Sequence, residues 1–167
     1  VPTSMRPSFG SPGADRKWSD SIRAAFAAHR RKDYAEAATY FQEASELSPR
    51  YPATRFYRGD ALRRLGRYGE AREEFSAACA YDDRPIRELP SFGRVLVAES
   101  ARHGVPVVDL AGEFETHSGK NLVGLDLFID YCHPNESGHK LIARIVLRDM
   151  IRIVGMRGID SDAVSGR

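Results

Sequence analysis

Asp130 and His133 stand three residues apart, followed by Pro134, Asn135 and Gly138 and then by a helical apolar pattern. A carboxylate can orient an imidazole, and a histidine can move a proton near neutral pH. An acid and a base at this spacing, at a loop-to-helix junction, form two thirds of the Ser-His-Asp arrangement that activates a nucleophile. The missing third is the nucleophile itself. Asn135 is placed to cap the next helix, which would help fix the loop carrying His133. Asp109 ends an apolar run and reads either as a helix N-cap or as a supporting acid.

The same residues admit other readings. Asp130 can be an ordinary turn residue, and His133 a capping or core histidine. Asp130, Cys132, His133 and His139 fall in one short stretch, but the paired spacings C-x-x-C and H-x3-H that zinc sites favour are absent. No metal and no cofactor are expected. Cys79 and Cys132 make no disulfide framework and read as small packed residues. Neighbours in extended chain point opposite ways, so Cys132 and His133 are not expected to work as a dyad. His117 and His139 read as solvated.

These residues need elements to position them, and the chain is long enough for one domain or two small ones at 167 residues. Its apolar content of 42%, charged content of 29% and net charge of +2 are those of a globular chain with no pull toward nucleic acid or an anionic membrane. No apolar run reaches the ~18 residues of a membrane helix.

Residues 1–14 are rich in Pro, Ser and Gly and read as a linker. From residue 15 to 83 the pattern is helical and repeats at an offset of 34 residues: Tyr34 recurs as Tyr68, Glu36 as Glu70, Ala37 as Ala71, Phe41 as Phe75 and Ala44 as Ala78. Small residues at Ala37, Ala44, Gly59 and Ala61 let helices approach, while Tyr34 and Phe41 fill one face. Pro49 follows the second helix, where proline stops it. The spacing predicts helices over about 16–30, 34–47, 53–65 and 68–81, with Trp18, Ile22 and Phe26 as a stripe on the first. This stretch resembles the tetratricopeptide repeat family, whose period is about 34 residues. The resemblance implies two helix–turn–helix units and either a groove for a peptide or protein partner or a helical insert packed beside another site. Asp83 stands where that pattern places a proline.

After the turn at Pro85 and Pro90, residues 91–103 read as a helix with Phe92, Val95, Leu96 and Ala101 near one face and Gly104 as its C-terminal cap. Val105–Leu110 (VPVVDL) has the pattern of a strand buried on both faces. Residues 111–126 read as a polar loop. A last helix over 136–153 places Leu141, Ile142, Ile145, Val146 and Met150 inward.

The order strand, Gly-rich loop, D-x-x-H-P-N-x-x-G, helix resembles the C-terminal end of the SGNH/GDSL hydrolase family over about residues 85–153. That resemblance implies Asp130 as catalytic acid and His133 as catalytic base of an ester hydrolase or acyltransferase, in the last piece of a flavodoxin-like α/β/α domain. The family's strand–G-D-S–helix and oxyanion blocks have no counterpart here. Gly158–Ile159–Asp160–Ser161 is a chance imitation on the wrong side of the D-x-x-H. The serine is therefore expected outside this chain, which alone should be inactive.

The expected organisation is mainly α with a small α/β part: linker 1–14, two repeats over 15–83, an α/β segment over 84–155 and a tail over 156–167. The expected partners are an ester substrate, engaged through the missing half, and a protein bound by the repeats. Nucleic acid is not expected, and an exposed sheet edge would favour pairing with a second copy. The alternative is a repeat-based protein-interaction module with a non-catalytic α/β appendage.

Overall fold

The computed structural model describes residues 7–82, 90–130 and 132–155, and among them the chain is mainly helical. Asp83, Pro85, the Gly158–Ser161 run and the tail from residue 156 lie outside the described residues. The chain divides into two compact units, Val1–Pro90 and Ser91–Arg167.

In the first unit the repeat becomes two helical hairpins: α1 (Ala14–Arg30) with α2 (Tyr34–Leu47), and α3 (Pro52–Arg64) with α4 (Tyr68–Ala80). The boundaries follow local chemistry. Asp33 caps α2 by accepting from the backbone N–H of Glu36 at 3.0 Å. Pro52 opens α3, where its missing N–H costs nothing. Alanines at the crossings bring the backbones close: Ala25, Ala28, Ala37, Ala61 and Ala71 share one buried core with Phe41 and Leu62. Phe26 meets Phe41 and Tyr57 edge-on at centroid distances of 5.3 and 4.8 Å, a favoured aromatic geometry. Gly59 is small for a reason, since a Cβ there would sit 2.9 Å from the Phe75 ring. Ahead of α1, Phe9 packs on Trp18, which packs on Tyr51, and the Ser8 backbone N–H donates to Ser48.

Buried charge in this unit is paired. Glu74 lies inside and is held by Arg55 and Arg58. Asp60 accepts from Arg63 and Arg64 and contacts His29 at 3.0 Å. Burial by itself would raise the Asp60 pKa, but hydrogen bonds from Arg64, Arg63 and His29 outweigh it and hold the carboxyl down at about 2.

The second unit contains α5 (Pro90–Arg102), α6 (Leu110–His117), a 3-10 turn at Gly119–Asn121 and α7 (Glu136–Val154). Gly104 ends the α5 segment at φ +64°, as its C-cap reading requires. Two expectations are corrected here. Residues 105–109 form no strand, and Leu110 opens α6. A strand exists only when a neighbour completes its hydrogen-bond ladder, and no named strand occurs among the described residues. Val105 is accordingly exposed rather than buried. The stretch expected as a polar loop begins instead with a helix, because the Asp109 side chain accepts from the Gly112 backbone N–H and caps α6. The α/β part, and with it the sheet edge expected to favour a second copy, is not present among the described residues.

The core of this unit is small. Phe114, Leu127, Leu141 and Ile145 form it, with Val108, Leu110, Phe128 and Ile142 packed around them. Of the inward set expected on α7, Leu141 and Ile145 are buried, Ile142 and Val146 are half-buried, and Met150 is 48% exposed. No described helix is long and apolar enough to cross a membrane.

Candidate acid–base site

The loop between α6 and α7 is a tight, heavily tied turn. Phe128 and Pro134 face each other in an isolated antiparallel bridge. The Ile129 backbone N–H donates to the His133 carbonyl at 2.8 Å, and Asn135 N–H donates to the Leu127 carbonyl at 3.0 Å. Asp130, Cys132 and His133 thereby lie at its tip.

Asn135 secures the base of the turn in two directions. Its side-chain oxygen accepts from the Gly138 backbone N–H at 3.0 Å, which makes it the N-cap of α7 as expected from sequence. Its side-chain amide donates to the carbonyls of Leu125 and Asp126 at 3.2 and 3.0 Å. Gly138 explains its own place in the pattern. A Cβ there would stand 2.2 Å from the Leu127 carbonyl oxygen and 2.9 Å from Pro134, so the first turn of α7 rests directly on the loop backbone.

Asp126 ties the other side. Its carboxylate accepts from the Ser118 hydroxyl at 2.5 Å and from the backbone N–H groups of Gly119 and Gly124, both at 3.0 Å. Burial would raise its pKa, but the Ser118 hydroxyl and these backbone donors together hold it below the ordinary value. Sequence reading missed Asp126, although two flanking glycines and a serine are the donors that such a carboxylate uses to organise a loop.

At the tip, Asp130 and His133 are brought together. Asp130 Oδ1 accepts from the backbone N–H groups of Cys132 and His133, both at 2.9 Å. The His133 Nδ1 lies 2.8 Å from Asp130 Oδ2 and 3.0 Å from Oδ1. A carboxylate only accepts, so in the neutral ring Nδ1 carries the proton and Nε2 the lone pair. The Cys132 N–H, the His133 N–H and the imidazole, in that order of weight, hold Asp130 well below the usual carboxylate range. Asp130 is thus an anion at neutral pH, and the imidazole stands 70% exposed beside it.

Cys132 corrects an expectation. It is exposed rather than packed, and its Sγ lies 3.4 Å from His133 Nδ1, because the chain here turns instead of running extended. His139 sits on the exposed face of α7, with Nδ1 3.0 Å from the Asn135 carbonyl. His117 is exposed on α6, 2.8 Å from the Glu113 carbonyl. Asp109 is spent as the cap of α6. None of these three reaches the Asp130–His133 contact through a described hydrogen bond.

Comparison with known proteins adds one assignment. Residues 28–86 match the family model described as tetratricopeptide repeat. No curated protein and no solved structure matches the chain. The first unit thus carries a tetratricopeptide repeat, a helical repeat that commonly mediates contacts between proteins.

Proposed function

We propose that Asp130 and His133 are the acid and base of a Ser-His-Asp triad in an SGNH/GDSL-type ester hydrolase or acyltransferase, with the serine supplied from outside this sequence. One observation carries the reading. A carboxylate fixed by two backbone N–H groups holds Nδ1 of an imidazole that is 70% exposed. In such a triad the ionised acid sets the tautomer and stabilises the imidazolium, while Nε2 takes the serine proton as the oxygen attacks an acyl carbonyl. Oxyanion donors, worth a few kcal/mol, would also come from outside this chain.

The reading is tested at two levels. In this chain, 15N NMR should show His133 protonated at Nδ1 in its neutral form, with Asp130→Ala abolishing that preference; an Nε2-protonated ring would sink the assignment. In the polypeptide that supplies the serine, His133→Ala should lower ester turnover by about 10³-fold or more. Retained hydrolysis of a short aryl ester would rule His133 out, and the 167-residue chain alone should show no turnover dependent on His133.

A second reading rests on the repeat match. The first unit would dock a protein partner, and a groove lined by Lys17, Asp20, Ser21, Glu43, Glu46 and Leu47 on α1 and α2 offers more acidic than basic groups to it. A Lys-rich peptide should bind there and lose affinity on Glu43→Lys with Glu46→Lys. Equal binding by the double variant would remove this groove from consideration.

A further inference from the structure

The geometry points to a three-donor site for a borderline-soft divalent cation of the zinc class, built from the carboxylate of Asp130, the Sγ of Cys132 and the imidazole of His133. One ligating atom from each residue lies within 4.8 Å of the other two. In a tetrahedral zinc site with bonds of about 2.0–2.3 Å, donors are separated by about 3.3–3.7 Å. Cys132 Sγ and His133 Nδ1 already stand 3.4 Å apart. Asp130 Oδ2 and Nδ1, at 2.8 Å, need to part by only about half an ångström to reach that separation.

The ligands are also held in advance. Asp130 Oδ1 is fixed by two backbone N–H groups, which leaves Oδ2 to ligate and supplies the outer support that orients good metal ligands. All three residues are exposed, so little desolvation opposes binding and a fourth position stays open to water. A thiolate with an imidazole selects zinc over magnesium or calcium, which take all-oxygen sets. The familiar paired spacings miss this arrangement because a tight turn, rather than a helix face or a knuckle, converges residues i, i+2 and i+3.

Coordination at Nδ1 needs the lone pair there, so the ring proton moves to Nε2 and the Cys132 thiol releases its proton to solvent as the metal bonds form; cation occupancy and acid–base pairing through Nδ1–H therefore exclude each other. That consequence rests on the triad reading; the binding does not.

The test is titration of the purified 167-residue chain with Zn2+ against a chromophoric chelator, with Co2+ as a spectroscopic substitute. One equivalent of Zn2+ should bind at micromolar concentration, and Co2+ should give a near-ultraviolet thiolate-to-metal band. Cys132→Ser and His133→Ala should each weaken Zn2+ by about tenfold or more, while His139→Gln and Cys79→Ser leave it unchanged. Circular dichroism should be the same for all four, since only exposed or half-buried side chains change. No uptake at about 100 μM Zn2+, a smaller loss in Cys132→Ser, or a missing Co2+ thiolate band overturns the site. None of those results bears on the His133 tautomer, so the two proposals fail separately.

Discussion

The two units spend their apolar residues differently. In the first, each amphipathic helix lies against another from the same repeat array, and Phe41 and Leu62 are fully buried between them. In the second, four large side chains make the core while Phe92, Val95, Leu96 and Val97 of α5 stand at least half exposed, as do Leu125 and Ile129 of the loop. The first unit is held by packing; the loop of the second is held by hydrogen bonds from Asn135, Asp126 and Asp130 and by one backbone contact at Gly138. Packing spreads its stabilisation over many weak contacts, whereas a tied loop concentrates it in a few polar groups that fix side-chain direction.

Four measurements break or sharpen this contrast, with stability read by chemical denaturation followed by circular dichroism. Phe41→Ala should cost about 3–5 kcal/mol, because a fully buried ring leaves a cavity among alanines that cannot close it. A loss under about 1 kcal/mol would mean the first unit is not packing-dominated. Gly138→Ala should cost about 3 kcal/mol by driving a methyl group into the Leu127 carbonyl, and should also scramble the His133 tautomer. A wild-type NMR signature in that variant would disconnect Gly138 from the site.

Acid should act on the first unit through Asp60. Its folded pKa is depressed from 3.8 to about 2, so its contribution is fully present above the unfolded value and is lost as pH falls through the folded one. About 2 kcal/mol should disappear across that window, and Asp60→Asn should flatten the dependence. Leu96→Ala should change stability by less than about 0.5 kcal/mol, because its side chain is already in water. A cost above about 1.5 kcal/mol would show that the α5 face is covered in solution.

The same contrast explains what was legible before the structure. The helices of the first unit are legible to within a few residues of their ends because the partner of each helix is supplied by the next in sequence. Period and caps then suffice. Val105–Leu110 has a strand's pattern because its apolar run has no helical period, but composition cannot provide a neighbouring ladder, and Asp109 instead caps a helix. Asn135 as a cap was legible, since N-capping is local chemistry. Sequence does not place Cys132 beside His133, because alternation holds only in extended chain and the turn there brings its sulfur to the imidazole.

Sequence by itself determined the repeat, the helix ends of the first unit and the spacing that sets an acidic residue three positions before a histidine, since each depends on residues close along the chain. Only tertiary structure decided that Asp130 grips Nδ1 of an exposed imidazole, that Gly138 must be small, and that Cys132 joins the pair. The need for a small residue at 138 depends on where the backbone of Leu127 passes beneath α7, and the convergence at Cys132 depends on the turn there; composition and periodicity contain neither distance.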